Sequence, residues 1–385
     1  MRRRSSILSI ASILLASACL DRIDIETGYV AMNAIVINGS ITNETGPYQV
    51  VISAVFDIES KETFKHPVSA KRVVISDNTG TSEVLSEAAA GIYATKADGI
   101  RGTVGRTYTL QVELPDGRVY ESVPDTLLES GRIDSLYASF TEEKNLDNNA
   151  TAYGFDVKFI PSIVSEKRSH LMWKFNGTFQ SDTNPELKED EPCGEKTCQE
   201  CNICNYKPLC SGLRNVSPYP GITRAVFVRV GPCECCTCWY DFFNPNPLIS
   251  DDLFVEQGKF STLTAMHIPL EAWTFQHRVY AKVTQFTLSR QAFDFWKAVM
   301  DQKTAINSLF QPVTGKIKTN FVQLSGPPVG VEGLFYATGA VSKSMFIDRD
   351  DVRPMVPIPE PGAPFTDSCL KLFPYATTQK PDFWE

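Results

Sequence analysis

Residues 106–124 read RTYTLQVELPDGRVYESVP, and this stretch decides the fold class. Tyr108, Leu110, Val112 and Leu114 alternate with polar neighbours, the period of a strand with one face in a core. Asp116-Gly117 supplies a tight turn, because glycine takes the positive φ that a two-stranded reversal needs, and Val119 restarts the apolar positions. Local chemistry alone therefore predicts a hairpin here.

The same signals recur on both sides. NAIVINGSIT (33–42) and YQVVISAVFD (48–57) are rich in β-branched residues and are divided by NETGP. KRVVISDNTGTSEVLSEA (71–88) predicts a second hairpin around Asp77-Asn78-Thr79-Gly80, with Val73 and Ile75 inward and Val84 resuming the pattern. GIYATK (91–96) is a further short strand. Short strands at this spacing predict an immunoglobulin- or transthyretin-like β-sandwich over 30–128. A boundary falls near DTLLESGRID (125–134). Beyond it RIDSLYASF, AYGFDVKFIP, HLMWKFNGTFQ, STLTAMHIPL and HRVYAKVTQFTLS predict a second β-rich domain over 129–385.

One helix is expected in that second domain. Ser289 is placed to N-cap RQAFDFWKAVMDQK, and Ala292, Phe295, Trp296, Val299 and Met300 fall on one stripe. That stripe reads as core-facing rather than as an aromatic sugar platform. SLFQPVTGKIKTNFVQL (308–324) and GLFYATGAVSKSMFID (333–348) read as closing strands with GPPVGVEG (326–333) as a turn between them, and the aromatic tail CLKLFPYATTQKPDFWE (369–385) as packed.

The compartment is read from the N-terminus. Arg2, Arg3 and Arg4 precede an apolar run from Ile7 to Leu15, then Ala16, Ser17, Ala18 and Cys19. A charged start, a short apolar stretch and small residues form a secretory signal peptide (1–18). Cysteine directly after the cleavage position looks like a lipobox, so Cys19 is the expected acylation site, with 19–29 a lipidated tether carrying Asp21, Asp24 and Glu26. This predicts a chain anchored to a membrane through lipid rather than spanning it, and the acidic residues just after Cys19 resemble a lipoprotein surface-export signal, a likeness that implies the outer membrane and its cell-surface face.

The net charge of −8 becomes about −11 without the three leader arginines, and no basic stripe exists, which argues against a nucleic-acid partner. No GxSxG, HExxH, P-loop or dinucleotide fingerprint is present, and the acid pairs Asp251-Asp252 and Asp350-Asp351 read as solvated loop charge. The expectation is a chain that is not an enzyme and needs no cofactor. The tripeptides DTL (125–127) and DSL (134–136) resemble O-glycosylation signals.

Ten cysteines remain after Cys19: Cys193, Cys198, Cys201, Cys204, Cys210, Cys233, Cys235, Cys236, Cys238 and Cys369. Most lie in a cysteine-rich insertion over 193–238. An even number in an oxidising compartment makes all ten disulfide candidates. Thiolate metal binding is the alternative within the same cysteines: Cys198, Cys201 and Cys204 form CxxCxxC, and CECCTC (233–238) packs thiols closely. Adjacent Cys235 and Cys236 are expected to take different partners, because a vicinal bridge is strained. No CxxC opens a helix after a strand, so a thioredoxin-like site is not expected.

Taken together, IDIETG followed by AIVINGSIT, GPYQVVIS, PVSAKRVVISDNTGTSEVL, GIYAT, the 104–124 hairpin, YAKVTQFTLSRQAFDFWKAV, SLFQPVTGKIKTNF and KPDFW resemble a family of Bacteroidota outer-membrane lipoproteins that share a domain of unknown function. The resemblance spans nearly the whole mature chain. It implies a location and a neighbourhood beside TonB-dependent receptors, with no catalytic residues to carry over. The expected function is a non-enzymatic accessory or binding partner of a TonB-dependent nutrient receptor, its ligand unknown. The alternatives are a structural or adhesion-type envelope protein and, third, a thiolate metal-binding lipoprotein.

Overall fold

A computed structural model describes residues 34–54, 66–144, 151–163, 170–188, 207–208, 210–216, 226–251, 260–306, 317–348 and 365–384. The signal peptide, Cys19, the tether, Cys193, Cys198, Cys201, Cys204, Asp252 and Asp350-Asp351 lie outside the described residues.

The chain is mainly β. Its first strands are β1 (Ile35–Thr42), β2 (Gln49–Ala54), β3 (His66–Pro67), β4 (Arg72–Asp77), β5 (Ser82–Val84), β6 (Ser86–Ala89), β7 (Ile92–Ala94), β8 (Thr107–Glu113), β9 (Val119–Ser122) and β10 (Asp125–Thr126). There follow β11 (Arg132–Lys144), β12 (Thr151–Ser162), β13 (His170–Asp182), β14 (Leu213–Asn215), β15 (Phe227–Arg229), β16 (Thr237–Phe243), β17 (Leu248–Asp251), β18 (Leu263–Pro269) and β19 (Val279–Leu288). Helix α1 (Arg290–Ile306) precedes β20 (Phe321–Ser325) and β21 (Val331–Ile347), and a single turn, α2 (Cys369–Leu372), opens the tail.

The deciding hairpin forms as its residues dictate. Tyr108, Leu110, Val112 and Leu114 are all buried, and Gly117 has φ 86° at the turn. After the turn the inward phase belongs to Tyr120, not Val119. Val112 lies opposite Tyr120, and residues paired across two strands share a face, so Tyr120 is fully buried while Val119 is only partly so. The hairpin at 77–80 shows the same kind of shift. Val73 and Ile75 are buried as expected, but Val84 is opposite Val74, which lies on the other face from those two, and is exposed; Leu85 is buried instead. Asp77 builds that turn by accepting from the backbone N–H of Thr79 and of Thr81, at 2.9 Å each, and from the Thr79 hydroxyl.

A ten-stranded sheet runs β16-β13-β19-β21-β1-β2-β7-β6, with β17 beside β13 and β3 beside β2. A six-stranded sheet runs β20-β9-β8-β4-β5, with β10 beside β8, and a third orders β11-β12-β18. Side chains of the first two sheets meet in one core: Ile37, Ile41, Val50 and Ile52 from one, Ile75, Tyr108, Leu110, Val112 and Tyr120 from the other. Phe321, Phe335 and Ala337 complete that core from residues nearly 300 positions along the chain. A second core gathers Phe155, Val157 and Phe159 with Leu171, Trp173, Phe175, Phe275 and Val283.

β21 joins the two. At 17 residues it spans roughly 55 Å at a strand rise of 3.2–3.4 Å per residue. It pairs antiparallel with β19 along one stretch and parallel with β1 along another, from Ile35 opposite Val331 to Thr42 opposite Thr338. Buried polar side chains satisfy backbone groups that this arrangement frees: Asn320 binds both the N–H and the C=O of Phe335, and Asp125 accepts from the Ala337 N–H at 3.0 Å. Gly333 sits at φ 103°, with a hypothetical Cβ 2.1 Å from the Ile37 carbonyl oxygen, so only glycine fits where the two strands close.

The Ser289 hydroxyl caps α1 by accepting from the Ala292 N–H at 3.2 Å. Ala292 and Phe293 are its most buried residues, and Phe293 stacks on His170 at 4.5 Å. Phe293 lies beside the expected stripe and joins its members Ala292, Phe295 and Trp296 in one cluster with Met172, Leu288, Leu334 and Tyr336. The polar stretch SDTNPELK (181–188) carries the last residues of β13 and a 3-10 turn at Pro185–Leu187.

Candidate functional site

The most chemically distinctive region is the cysteine-rich lobe at the β16 edge of the large sheet. β14 and β15 form a short ribbon, with Leu213 opposite Arg229 and Asn215 opposite Phe227. The lobe has little aliphatic material. Its centre is Cys210, Leu213 and Cys236, with Cys233 and Cys235 against them, so sulfur takes the place of a hydrocarbon core.

Three disulfides are present among the described residues. Cys210 joins Cys235 and Cys233 joins Cys236, each with a Cα–Cα separation of 5.4 Å. Adjacent Cys235 and Cys236 thus take different partners. Cys238, in β16, joins Cys369 at the start of the tail, 131 positions away, with Cα atoms 6.0 Å apart. The first two bridges close the lobe on itself; the third fastens the tail to the sheet. Of the ten candidates, six are placed here as pairs.

Hydrogen bonds hold the lobe to its base. Thr183 donates its N–H to the Cys236 carbonyl at 2.7 Å, and Cys369 donates its N–H to the Cys235 carbonyl at 3.2 Å. Arg229 forms an ion pair with Glu186 on the 3-10 turn at 2.8 Å, and its Nη2 reaches the Cys236 sulfur at 3.4 Å. Below the lobe, Asp182 ends β13 as a hub. Its carboxylate meets His277 Nε2 at 2.6 Å and accepts from the Thr237 hydroxyl at 2.7 Å, while Gln276 brackets its backbone. The His277 bond holds the Asp182 carboxyl below the usual aspartate range, burial opposing it and the Thr237 hydroxyl assisting.

The tail completes the region. Phe373 packs on Phe179 and Tyr240, Thr377 bridges to Trp239, and Trp384 meets Trp239 and Phe346 edge-on. The Arg278 guanidinium lies 4.0 Å from the Phe346 ring centre, stacking cation on π face. The tail is packed, as its aromatic content predicts.

The other sequence candidates are absorbed by the scaffold. Asp251 pairs in β17 opposite His170. Within DTL, Asp125 is buried but Thr126 is exposed at the end of β10, its hydroxyl 3.2 Å from that of Thr107; within DSL, the Ser135 hydroxyl is buried in β11. Two clefts of about 480 and 600 Å³ lie elsewhere. In the first, two of the three lining carboxylates are already engaged: Glu83 accepts from the Lys96 and Ile100 N–H groups, and Asp77 pairs with Arg106, with Asp98 the third. The second lies between the first turns of α1 and residues 317–319. Sequence reasoning missed β16. Its first two residues, Thr237 and Cys238, fall inside the insertion read over 193–238, which hides where the strand begins.

Among the described residues, no helix is long and apolar enough to cross a membrane. No curated protein matches the chain. Residues 21–344 match the model of a family defined by a domain of unknown function (DUF4249), and the chain belongs to that family. The tail with Cys369 lies beyond the matched span.

Proposed function

For this member of the DUF4249 family, we propose a lipid-anchored outer-membrane protein that faces the cell surface and acts as a non-enzymatic accessory or binding partner of a TonB-dependent nutrient receptor. The observation that carries the reading is the disulfide-braced lobe on a β scaffold, in a chain whose first 19 residues have the form of a leader and an acylated cysteine. Disulfides persist outside the cytosol, where such a leader sends a protein. An acyl tether at Cys19 confines the protein to the membrane plane and raises its effective concentration for a membrane partner. The resemblance to Bacteroidota lipoproteins supplies the class of partner. A lobe cored by sulfur offers a rigid contact surface at small size.

The test is co-purification. The full chain, tagged at its C-terminus and extracted from outer membranes in mild detergent, is expected to carry a TonB-dependent receptor. A Cys19→Ala variant is expected in the soluble envelope fraction without it. Recovery of the unmodified chain free of lipid and of any receptor overturns the proposal.

A further inference from the structure

The three disulfides are not equivalent. Cys238 and Cys369 are both fully buried. Cys233 is only partly buried, whereas its partner Cys236 is 5% exposed and faces Arg229. The sulfurs of Cys210, Cys233 and Cys236 all lie within 4.8 Å of one another, so the two bridges of the lobe are neighbours. Cys233 and Cys236 also form a CxxC pair, placed at the entry to a strand rather than at the start of a helix.

We propose that Cys233–Cys236 is a thiol–disulfide exchange site for an external dithiol, small or protein-borne. The incoming thiolate attacks the reachable Cys233 sulfur. A mixed disulfide forms there, the Cys233–Cys236 bond breaks, and its electron pair leaves with Cys236 as a thiolate. Arg229 stabilises that leaving group; a thiolate of lowered pKa departs faster. Glu186 competes for the same guanidinium, with Nη2 3.1 Å from its Oε2. The second thiol of the dithiol then attacks the mixed disulfide, releasing Cys233 and the oxidised dithiol. Alternatively the Cys236 thiolate attacks Cys210: a Cys236–Cys210 bond forms, the Cys210–Cys235 bond breaks, and the charge passes to partly buried Cys235. The number of disulfides in the lobe is unchanged by that internal step. Throughout, Cys238–Cys369 and the backbone bonds from Thr183 and Cys369 keep the lobe in place. This inference does not depend on the membrane anchor.

The experiment uses the full chain purified without reductant, exposed to graded dithiothreitol, quenched by alkylation and mapped by peptide fragmentation. Cys233 and Cys236 are expected to open at a dithiol concentration about tenfold or more below that which opens Cys238–Cys369. Arg229→Gln is expected to slow the opening about threefold, because the departing Cys236 thiolate loses the cation that stabilises it and the rate follows leaving-thiol acidity with a Brønsted dependence near one half. Glu186→Gln is expected to accelerate it, and Arg229→Lys to preserve it. A purely structural ion pair predicts something different: both Arg229→Gln and Glu186→Gln would loosen the lobe and speed its reduction. That result overturns the proposal, as does opening of all three bridges at one concentration.

Discussion

Removing the disulfides one pair at a time should cost stability in a fixed order. A cross-link stabilises chiefly by shrinking the unfolded ensemble, and the effect grows with the logarithm of the loop it closes. The separations are 131 for Cys238–Cys369, 25 for Cys210–Cys235 and 3 for Cys233–Cys236. The chain-entropy relation converts these to about 5, 3.5 and 1.6 kcal/mol at 25 °C. Alanine is the right replacement at Cys238 and Cys369. Both sites are fully buried, and serine would add the cost of an unpartnered hydroxyl. Cys238→Ala/Cys369→Ala should therefore lose about 3–5 kcal/mol and Cys233→Ala/Cys236→Ala less than 2 kcal/mol. The assay is urea unfolding of the full chain, followed by tryptophan emission, since Trp239 and Trp384 are both buried where the tail meets β16. Equal losses for the three pairs, or a loss below about 1 kcal/mol for Cys238/Cys369, would refute the view that the tail bridge is the principal staple.

Three further outcomes follow from single residues. Gly333→Ala should destabilise by about 2–4 kcal/mol, since it combines a positive φ with a clash against the Ile37 carbonyl; a thermal midpoint matching wild type would show that β1 and β21 do not close as described. Burial acts against ionisation at Asp77, but donors from Thr79, Arg106 and Thr81 outweigh it and hold the carboxyl at about 2. Its stabilisation is thus present above the ordinary aspartate range and lost as pH falls through about 2, so the stability gap between wild type and Asp77→Asn should narrow between pH 4 and pH 2; a constant gap excludes the ion pair as its source. Burial raises the Asp125 carboxyl, against hydrogen bonds from Ser289 and Ala337, so its contribution is largest at low pH and declines as pH rises through the raised value. Asp125→Asn should be at least as stable as wild type at pH 8, whereas Asp125→Ala should lose about 1–3 kcal/mol by leaving the Ala337 N–H without its acceptor; denaturation midpoints that rank the two variants the other way contradict this.

What was legible in the sequence was what neighbours along the chain determine. Alternation at Tyr108, Leu110 and Val112, the glycine at 117, the Asp77 turn and the Ser289 cap are each decided within a few residues, and each forms. The inward phase after a turn was less legible, because it depends on cross-strand register: Val112 selects Tyr120 over Val119. Least legible were contacts of long range. Nothing local to Ile35 announces a parallel partner at Val331, and nothing near residue 128 announces that Phe321 and Phe335 fill the core of the first hundred residues. The cysteines follow the same rule. Their number and the compartment suggest bridges, but the pairing of Cys238 with Cys369 depends on the tail returning to β16, which Trp384, Phe373 and Thr377 arrange through contacts with Trp239, Phe179 and Tyr240.

Everything proposed for the function rests on an oxidised lobe carried by an acylated chain. Mass spectrometry of the protein taken from its own membranes, alkylated without reductant and digested, tests both parts in one measurement. An oxidised, acylated protein yields a linked Cys238–Cys369 peptide pair, a linked Cys210 and 233–236 cluster, and an N-terminal peptide beginning at a lipid-modified Cys19. Alkylated, unlinked cysteines in the 210–238 region together with an unmodified Cys19 would contradict it.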